Sequence, residues 1–585
     1  MLAASPVVRS SAARFLFLST ALITVGVLFW AWHFMAPGSA NLSQIFLLLF
    51  ADYDSQAASW TLGVLLLSVF VSGVFSGRQL LKWISDHMLI VVVATVMLLC
   101  IGSLVVYRNH PLAMDEYAQY LQSQVFADGK LSGNFPIDLM DWLVPPSFQN
   151  YFLSISKSTG AVASGYWPSF ALLLTPFTAL GISWACNPVI SALTLLAAHR
   201  LALKIYGDRD AAALVVLLTV ASPVFIINGI SYYSMPAHLL ANTLYALLLL
   251  DPTPRKSLLA GVVGSVALTL HNPLPHLLFA LPWILWIAGR RDGTALTLWL
   301  AAGYAPLCLL LGFGWFWFTG HLRQAGMPEA QAGEDLSGMW QTLSVFALPD
   351  ASILLARVIG IAKTWVWAVP GLIILAGAGA WKGWPHPALR TLTISALLTL
   401  LGYFIVPVDQ GHGWGYRYFH SAWIVLPLLA AGALSRTQIG RTRITFEDEG
   451  SRAFIVACAV LMLLIGVPFR AVQVHNFMMF DLAQIPAYPG TEHRVVLIDQ
   501  KYSFYGADLV QNDPWLRGDV ISMLSHGREE DARMMARNFP NMHKVYGDFH
   551  GAVWSAAHSD AHGQRLHSRT NSPVNSAGAV STQAP

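Results

Sequence analysis

Charged residues are scarce in this sequence. Of its 585 residues, 11% are Asp, Glu, Lys or Arg, whereas 55% are hydrophobic. A water-soluble protein of this length needs far more charge to cover its surface, so that class is excluded. The net charge of +3 says little about partners, because the charges are sorted by their position along the chain.

Cysteine is also rare, and no metal-binding spacing is present. The histidines show no HExxH spacing, so a zinc site is not predicted. The sequence shows no pair of matching halves, a feature of many transporters. The cysteines all fall inside apolar segments, where they are typical of small core residues and do not indicate a disulfide framework. They are Cys100, Cys186, Cys308 and Cys458.

Long apolar runs, in contrast, recur along most of the chain. A helix needs about 20 apolar residues to cross a hydrocarbon core of roughly 30 Å. The sequence therefore predicts an all-α polytopic membrane protein with about 13 transmembrane helices. The predicted spans are residues 15–35, 60–76, 88–106, 186–205, 211–229, 236–250, 257–271, 273–289, 295–318, 355–380, 391–407, 420–435 and 452–470.

Basic residues occur in every second connection between the predicted spans, as Arg78 and Lys82 do after the second one. Cytoplasmic loops carry this excess of Lys and Arg. The pattern predicts a protein of the plasma (inner) membrane with a cytoplasmic N-terminus, and it places the long loop after the third span and the C-terminus outside. Arg357 and Lys363 depart from the pattern, because they lie near the outer end of the tenth span.

The long loop and the C-terminal region have compositions of their own. In the loop, DEYAQYLQSQVFADG (115–129) predicts an amphipathic helix, and SGYWPSFALLLTPFTALG (164–181) predicts an amphipathic or re-entrant helix at the outer surface. Near the C-terminus, VVLID (495–499) predicts a buried strand and EEDARMMARNF (529–539) a helix, so we expect a small α/β appendage. The predicted parts are three N-terminal transmembrane helices (1–107), the outer loop (108–185), a transmembrane bundle (186–470), the extracytoplasmic α/β domain (471–555) and a disordered tail (556–585).

Asp115 and Glu116 are adjacent carboxylates close to the end of a predicted span. Ionisable residues near the hydrocarbon are costly and are therefore candidates for function. The alternative is a capping role, since the two acids begin a predicted helix, where free N–H groups favour negative charge. A divalent cation is the cofactor that such a pair could hold.

Other candidates lie at the outer ends of later spans. GHGWGYRYFH (411–420) places Arg417 between two tyrosines, and a guanidinium there suits a phosphate group. The alternative is an interfacial arginine in an aromatic belt. HNPLPH (271–276) turns one apolar run into a hairpin, so His271 and His276 either line a cavity or serve the turn.

The motifs DEY, QSQVFADGKL, GYWPSF, CNPVISALTLLAAHRLALKIYGDRDAA, SPVFI and GYRY together resemble the GT-C superfamily of integral membrane glycosyltransferases. The bacterial enzymes akin to protein O-mannosyltransferases and aminoarabinose transferases are similar. The resemblance implies that Asp115 and Glu116 are catalytic. It also makes Arg417 a candidate for the lipid-phosphate site, and we expect the donor-phosphate or substrate site to contain Tyr418, Tyr117, His271 and His276 as well. Many relatives carry a Lys or Arg at the hairpin, where this chain has His-Asn-Pro.

The activity implied by the resemblance is transfer of a sugar from a polyprenyl-phosphate donor to a hydroxyl or amine-bearing envelope lipid, glycan or protein on the outer face. Asp115 would be the general base of an inverting displacement. Glu116 would orient it or hold a metal ion. No cofactor is required, although a divalent metal ion is compatible, and nucleic acid is not an expected partner. The alternatives are a lipid-linked glycan transporter or flippase and a polysaccharide ligase or polymerase.

Overall fold

The structure is a computed structural model that describes residues 5–34, 42–74, 77–325, 348–435, 446–487 and 492–556. In these ranges, seven helices are long and apolar enough to cross a membrane, or eight if one bent pair forms a single span. The chain is a multi-pass membrane protein. The seven are Ser11–His33, Gln44–Val74, Met88–Val105, Ser183–Tyr206, Gly293–Gln324, Pro387–Ile405 and Glu449–Leu482, and the bent pair is Arg209–Val220 with Pro223–Gly229.

Every predicted span overlaps a helix, but the number of thirteen transmembrane helices is not confirmed. The other helices of the bundle are too short to cross a bilayer unaided, since a span needs about 17–25 residues. All of them except Ala351–Val366 contribute to one large apolar core together with the long helices, and Ala351–Val366 packs in two smaller clusters. These shorter helices are Met235–Leu249, Pro254–Leu268, Leu274–Ala288, Ala351–Val366, Leu372–Gly383 and Val425–Leu434.

The tenth predicted span, 355–380, is two helices and not one. Ala351–Val366 ends before Pro370, which has no N–H to donate, and Gly371 adopts a left-handed φ of +87° before Leu372–Gly383 begins. Glycine tolerates this conformation because it has no Cβ. The apolar composition continues across the break, and for this reason the sequence predicts a single span over residues 355–380.

Arg357 and Lys363 are buried inside the protein, which explains why they depart from the charge pattern of the loops. Each is 1% exposed. The Arg357 guanidinium donates to the carbonyl of Tyr403 at 2.8 Å, and the Lys363 ammonium pairs with Asp54 at 2.7 Å. Positively charged side chains with internal partners carry no information about which side of the membrane a loop faces.

The first large loop, residues 106–182, contains its own helices and a small sheet. Both helices predicted there are present, as Met114–Ala127 and Ser169–Ala179. Strands β1 (Gly133–Asn134), β2 (Leu153–Ile155) and β3 (Ala161–Ser164) form an antiparallel sheet in the order β1-β3-β2.

The C-terminal domain, residues 492–556, is the predicted α/β unit. Strands β4 (Arg494–Ile498), β5 (Val520–Leu524), β6 (His543–Gly547) and β7 (Gly551–Ser555) form a sheet in the order β5-β4-β7-β6, in which only the β4–β5 pair is parallel. The helix Arg528–Asn538 follows β5 and has acidic residues in its first turn, where they oppose the helix dipole. The strand and the helix predicted here are confirmed, whereas the predicted disordered tail from 557 onward lies outside the described residues.

The first large loop and the C-terminal domain share one hydrophobic core. Apolar side chains of the helix Met114–Ala127 and of the loop strands pack directly against β4, β5 and the helix Arg528–Asn538. Burial of such side chains stabilises by about 1.5–3 kcal/mol each, so the two segments hold each other in place. The buried members are Met114, Tyr117, Ala118, Leu121, Val125, Phe135, Leu139, Met140, Leu143, Val144, Leu153, Ile155, Val162, Val495, Leu497, Ile521, Met523, Met534 and Met535.

Candidate active site

Asp115 and Arg417 form an ion pair, although 302 residues separate them in sequence. Asp115 is the second residue of the helix Met114–Ala127, and its Oδ2 lies 2.8 Å from Nη1 of Arg417. Their side chains are 19% and 13% exposed, so the pair is largely but not completely shielded from solvent. The ion pair thus joins the acidic motif to the GYRY motif.

Two further side chains hold the other oxygen of Asp115. The hydroxyl of Tyr166 donates to Oδ1, and Nε2 of His271 lies 3.9 Å from the same atom. The Tyr166 and His271 rings stack at a centroid distance of 4.0 Å, which fixes both. Burial alone would raise the pKa of Asp115, but the Arg417 guanidinium, with His271 and Tyr166, outweighs it and holds that pKa well below its usual range. Asp115 is therefore ionised at neutral pH.

The chain curls tightly around Arg417. Gly413 has a φ of +115°, and a Cβ at that position would collide with the Arg417 side chain. Gln410 accepts a hydrogen bond from the guanidinium with its carbonyl, and its side chain accepts one from the Arg417 main-chain N–H at 3.0 Å. The Tyr233 ring lies 4.8 Å from the guanidinium carbon. Arg417 is thus held in one orientation, with its charge toward Asp115.

Glu116 points away from the ion pair and is fully buried. Its Oε1 accepts hydrogen bonds from the Tyr107 hydroxyl at 2.9 Å and the Tyr232 main-chain N–H at 3.1 Å, and Oε2 accepts one from the N–H of Leu112 at 2.5 Å. Neighbouring side chains on a helix diverge by about 100°, so the adjacent acids serve different places. Glu116 holds the tight turn before the helix, which includes Arg108 in a left-handed conformation.

Burial raises the pKa of Glu116 to about 8, and this makes a prediction for stability. The folded protein keeps the Glu116 proton at pH values at which the unfolded chain has lost it. Stability should therefore fall as pH rises from the usual glutamate pKa to about 8. Thermal denaturation of the purified protein should show this fall. The non-ionisable E116Q variant should show a shallower one, and equal slopes would contradict the prediction.

The remaining predicted site residues lie away from the ion pair. The Tyr117 hydroxyl donates to the carbonyl of Asn512 at 2.7 Å and accepts from its N–H at 2.8 Å, so it joins the first large loop to the C-terminal domain. Both ring nitrogens of His276 are taken, by Asn242 and Tyr304 at 2.7 Å each.

Tyr418 supports the loop that carries Arg417. It stacks on Tyr403 at 4.2 Å between ring centroids, and its hydroxyl donates to the carbonyl of Asp409 at 2.9 Å. The structure thus brings Asp115, Arg417 and His271 together, and gives Glu116, Tyr117, His276 and Tyr418 partners elsewhere.

The residues at this site do not fit a metal ion shared by the two acids. Asp115 faces a guanidinium, and the Glu116 oxygens are turned toward Tyr107, Leu112 and Tyr232. Among the residues that the structure describes, no group of three or more His, Cys, Asp and Glu side chains could hold a metal.

Sequence reasoning missed several residues of the site. Tyr166 lies in the GYWPSF motif that carries the resemblance, so a signal for it was present. Gln410 precedes the GHGWGYRY turn without any motif of its own. Asp508, in the C-terminal domain, accepts a hydrogen bond from the N–H of Met114 at 2.8 Å. No local pattern could reveal that contact, because it joins residues 394 positions apart.

The fold has counterparts among solved structures. Two structures of ArnT from Cupriavidus metallidurans, one bound to undecaprenyl phosphate and one in the apo state, match with a TM-score of 0.50 and 14% sequence identity. The match covers 82% of this chain and 99% or 100% of those chains. The Archaeoglobus fulgidus oligosaccharyltransferase in complex with Zn and sulfate matches at 13% identity over 72% of this chain and 61% of that one, with a TM-score of 0.39.

No family model matches the sequence, and no curated protein matches it. The agreement is therefore one of three-dimensional structure, and with ArnT it extends over most of both chains. The chain therefore shares its overall fold with ArnT.

Proposed function

We propose that this protein transfers a sugar from a polyprenyl-phosphate donor to a hydroxyl or amine group of an envelope molecule, on the extracytoplasmic face of the membrane. The observation that carries the proposal is the ion pair of Asp115 and Arg417 at 2.8 Å, whose two side chains are both partly exposed. One contact supplies both a proton acceptor and a cation for phosphate. The ArnT structure bound to undecaprenyl phosphate supports a lipid-phosphate donor.

The reaction needs both groups at once. The acceptor O–H or N–H loses its proton to Asp115 as its oxygen or nitrogen forms a bond to the anomeric carbon of the sugar. The bond from that carbon to the phosphate oxygen breaks, and the electron pair leaves with the polyprenyl phosphate. Arg417 faces the negative charge that develops on this oxygen. A single displacement of this kind inverts the anomeric centre.

Arg417 also controls how basic Asp115 is. While the guanidinium pairs with the carboxylate, the pKa of Asp115 stays well below its usual range and the carboxylate is a weak base. A donor phosphate competes for the same guanidinium. When Arg417 turns to the phosphate, the guanidinium no longer opposes the effect of burial, and the pKa of Asp115 rises. Donor binding would thus activate the base that the transfer requires.

The test of the proposed function is consumption of the donor. Membranes that contain the protein are incubated with a radiolabelled polyprenyl-phosphate sugar, and we expect the label to move to an envelope acceptor while polyprenyl phosphate is released. Membranes that contain the D115N variant are the control. Movement of intact donor between leaflets without release of the sugar would instead identify a flippase and refute the proposal.

Arg417 variants should separate the roles of charge and shape. R417K keeps the charge but loses the planar fork that contacts Asp115 and Gln410, so we expect a loss of about 10-fold or more in kcat/KM for the donor. R417Q loses the charge and should cost about 10²–10³-fold. In R417Q, the acid limb of the pH profile of kcat/KM should move to higher pH. Without the guanidinium, less opposes the effect of burial, which raises the pKa of Asp115.

The matched control for these variants is R537Q, since Arg537 is 75% exposed and its ion pair with Asp138 lies at the protein surface. It should keep the wild-type kcat/KM. Equal rates for R417Q and R537Q would remove Arg417 from the mechanism.

A further inference from the structure

Asp508 of the C-terminal domain contacts both segments that carry the ion pair. It lies in the short turn Gly506–Leu509 and is 6% exposed. Its Oδ1 accepts a hydrogen bond from Met114, the residue before Asp115, and its Oδ2 lies 3.6 Å from Nε2 of His412, five residues before Arg417. A single carboxyl group thus spans the gap between the two halves of the site.

The helix that carries Asp115 depends on this contact for its first turn. Its N-cap residue is Ala113, which has no side-chain oxygen to accept a hydrogen bond. The first N–H groups of a helix need such an acceptor, which Ser, Thr, Asp or Asn at the N-cap usually supplies. Here the acceptor for Met114 comes from another domain. A local cap would stabilise the helix equally well, but it would not tie the helix to the Arg417 loop.

The second oxygen reaches the loop that presents Arg417. His412 is 8% exposed, and its ring packs edge-on against Tyr505 at 4.6 Å between ring centroids. Tyr505 adjoins the Asp508 turn and, with a φ of 54°, holds a left-handed conformation that starts the turn. The turn of the C-terminal domain therefore touches the Arg417 loop through both a carboxyl group and a ring.

The Asp508 turn is held to the first large loop at several points, so Asp508 cannot move independently of that loop. Gln511 donates to the carbonyl of Pro111 at 2.9 Å, and Asn512 exchanges two hydrogen bonds with Tyr117. The N–H of Asn134, in β1, donates to a carbonyl of residue 514 at 3.0 Å. Together with the shared hydrophobic core, these contacts make the C-terminal domain a rigid support for the acidic helix.

We infer that Asp508 is a positioning residue that sets the separation and orientation of Asp115 and Arg417, so that the C-terminal domain supports the site through this one side chain. This inference rests on the proposed function. Asp508 acts through the first turn of the acidic helix and through the His412 loop. Misplacement of a catalytic group by about 1 Å can cost about 10²-fold in rate, so loss of the contact should appear in kcat.

The test compares variants of the full-length purified protein. D508A removes both contacts, and we expect kcat to fall about 10–100-fold with the donor KM changed much less. D508N keeps an oxygen that can accept the N–H of Met114 and should recover most of the rate. The matched control is D499A, because Asp499 caps a turn within the same domain by accepting the N–H of Lys501 at 2.8 Å. It should keep the wild-type kcat.

A second measurement does not depend on turnover. Amide hydrogen exchange in the first turn of the acidic helix, Met114–Tyr117, should be faster in D508A than in wild type and unchanged in D499A. Unchanged exchange there, wild-type kcat in D508A, or equal losses in D508A and D499A would each overturn the positioning role. If the wild-type protein itself consumes no lipid-phosphate sugar, the proposed function fails, and the exchange result still decides whether Asp508 orders the helix.

Discussion

Replacement of Asp115 by Asn should abolish sugar transfer while the protein still inserts and folds. Asn has nearly the same shape as Asp, and its side-chain oxygen can still accept the hydrogen bond from Tyr166 or Arg417. It has no basic site for the acceptor proton, however, and a positioned general base contributes about 10²–10⁴-fold. We therefore expect kcat to fall by about that factor. The measurement is release of polyprenyl phosphate from a labelled donor by equal amounts of wild-type and variant protein.

The control for D115N is D138N, the same change in the same loop. Asp138 is 58% exposed and pairs with Arg537, so it should have no part in the reaction. D138N should keep wild-type activity, and both variants should elute as single species in size-exclusion chromatography. A D115N protein with appreciable activity would show that another group takes the proton, and the assignment of the base would be wrong.

Glu116 differs from Asp115 in its surroundings, although the two adjacent acids are predicted from the sequence as one motif. The structure separates them: Asp115 meets a cation at a partly open surface, whereas Glu116 is fully buried and holds the preceding turn. Tyr117, the next residue, points in a third direction, because its hydroxyl contacts the C-terminal domain. Residue type and spacing can indicate which short segment carries functional residues. The surroundings of each side chain, however, depend on what packs around the helix.

The parts of the fold that could be predicted are those set by local composition. The apolar runs predict the helices of the bundle. The short apolar run VVLI predicts β4, and the amphipathic pattern of residues 529–539 predicts the helix Arg528–Asn538. The length of each helix was less predictable, because an apolar run continues through Pro370 and Gly371, where the backbone changes direction. The Asp508 contact was not predictable at all, because it arises only when two distant segments pack together.

A buried cluster of three charges in the helical bundle should be the most sensitive point for stability. Asp54 lies between Lys363, at 2.7 Å, and Arg470, at 2.8 Å, and all three are nearly inaccessible to solvent. The Trp367 indole N–H also donates to Asp54 at 2.7 Å, and the Arg470 guanidinium lies over the Trp367 ring at 4.0 Å. The cluster joins three helices, Gln44–Val74, Ala351–Val366 and Glu449–Leu482.

The cluster has two cations for one anion, and this imbalance gives two opposite predictions. D54N leaves Lys363 and Arg470 buried without a counter-charge, and removal of one partner of a buried pair costs about 3–5 kcal/mol. K363M removes the excess positive charge and leaves Asp54 paired with Arg470. Replacement of a buried charge by an apolar side chain of similar size is often neutral or stabilising. We therefore expect D54N to be strongly destabilised and K363M to be close to wild type.

The midpoint of thermal denaturation in detergent, together with the yield of monodisperse protein, distinguishes these outcomes. D54N should lose most of its yield, whereas K363M should keep it. The double variant D54N/K363M should regain part of what D54N loses, because only Arg470 then remains unpaired. If K363M is as unstable as D54N, the Lys363 contact is needed for more than charge balance, and the electrostatic account of the cluster is wrong. If D54N is as stable as wild type, the two cations have other acceptors and Asp54 does not hold the three helices together.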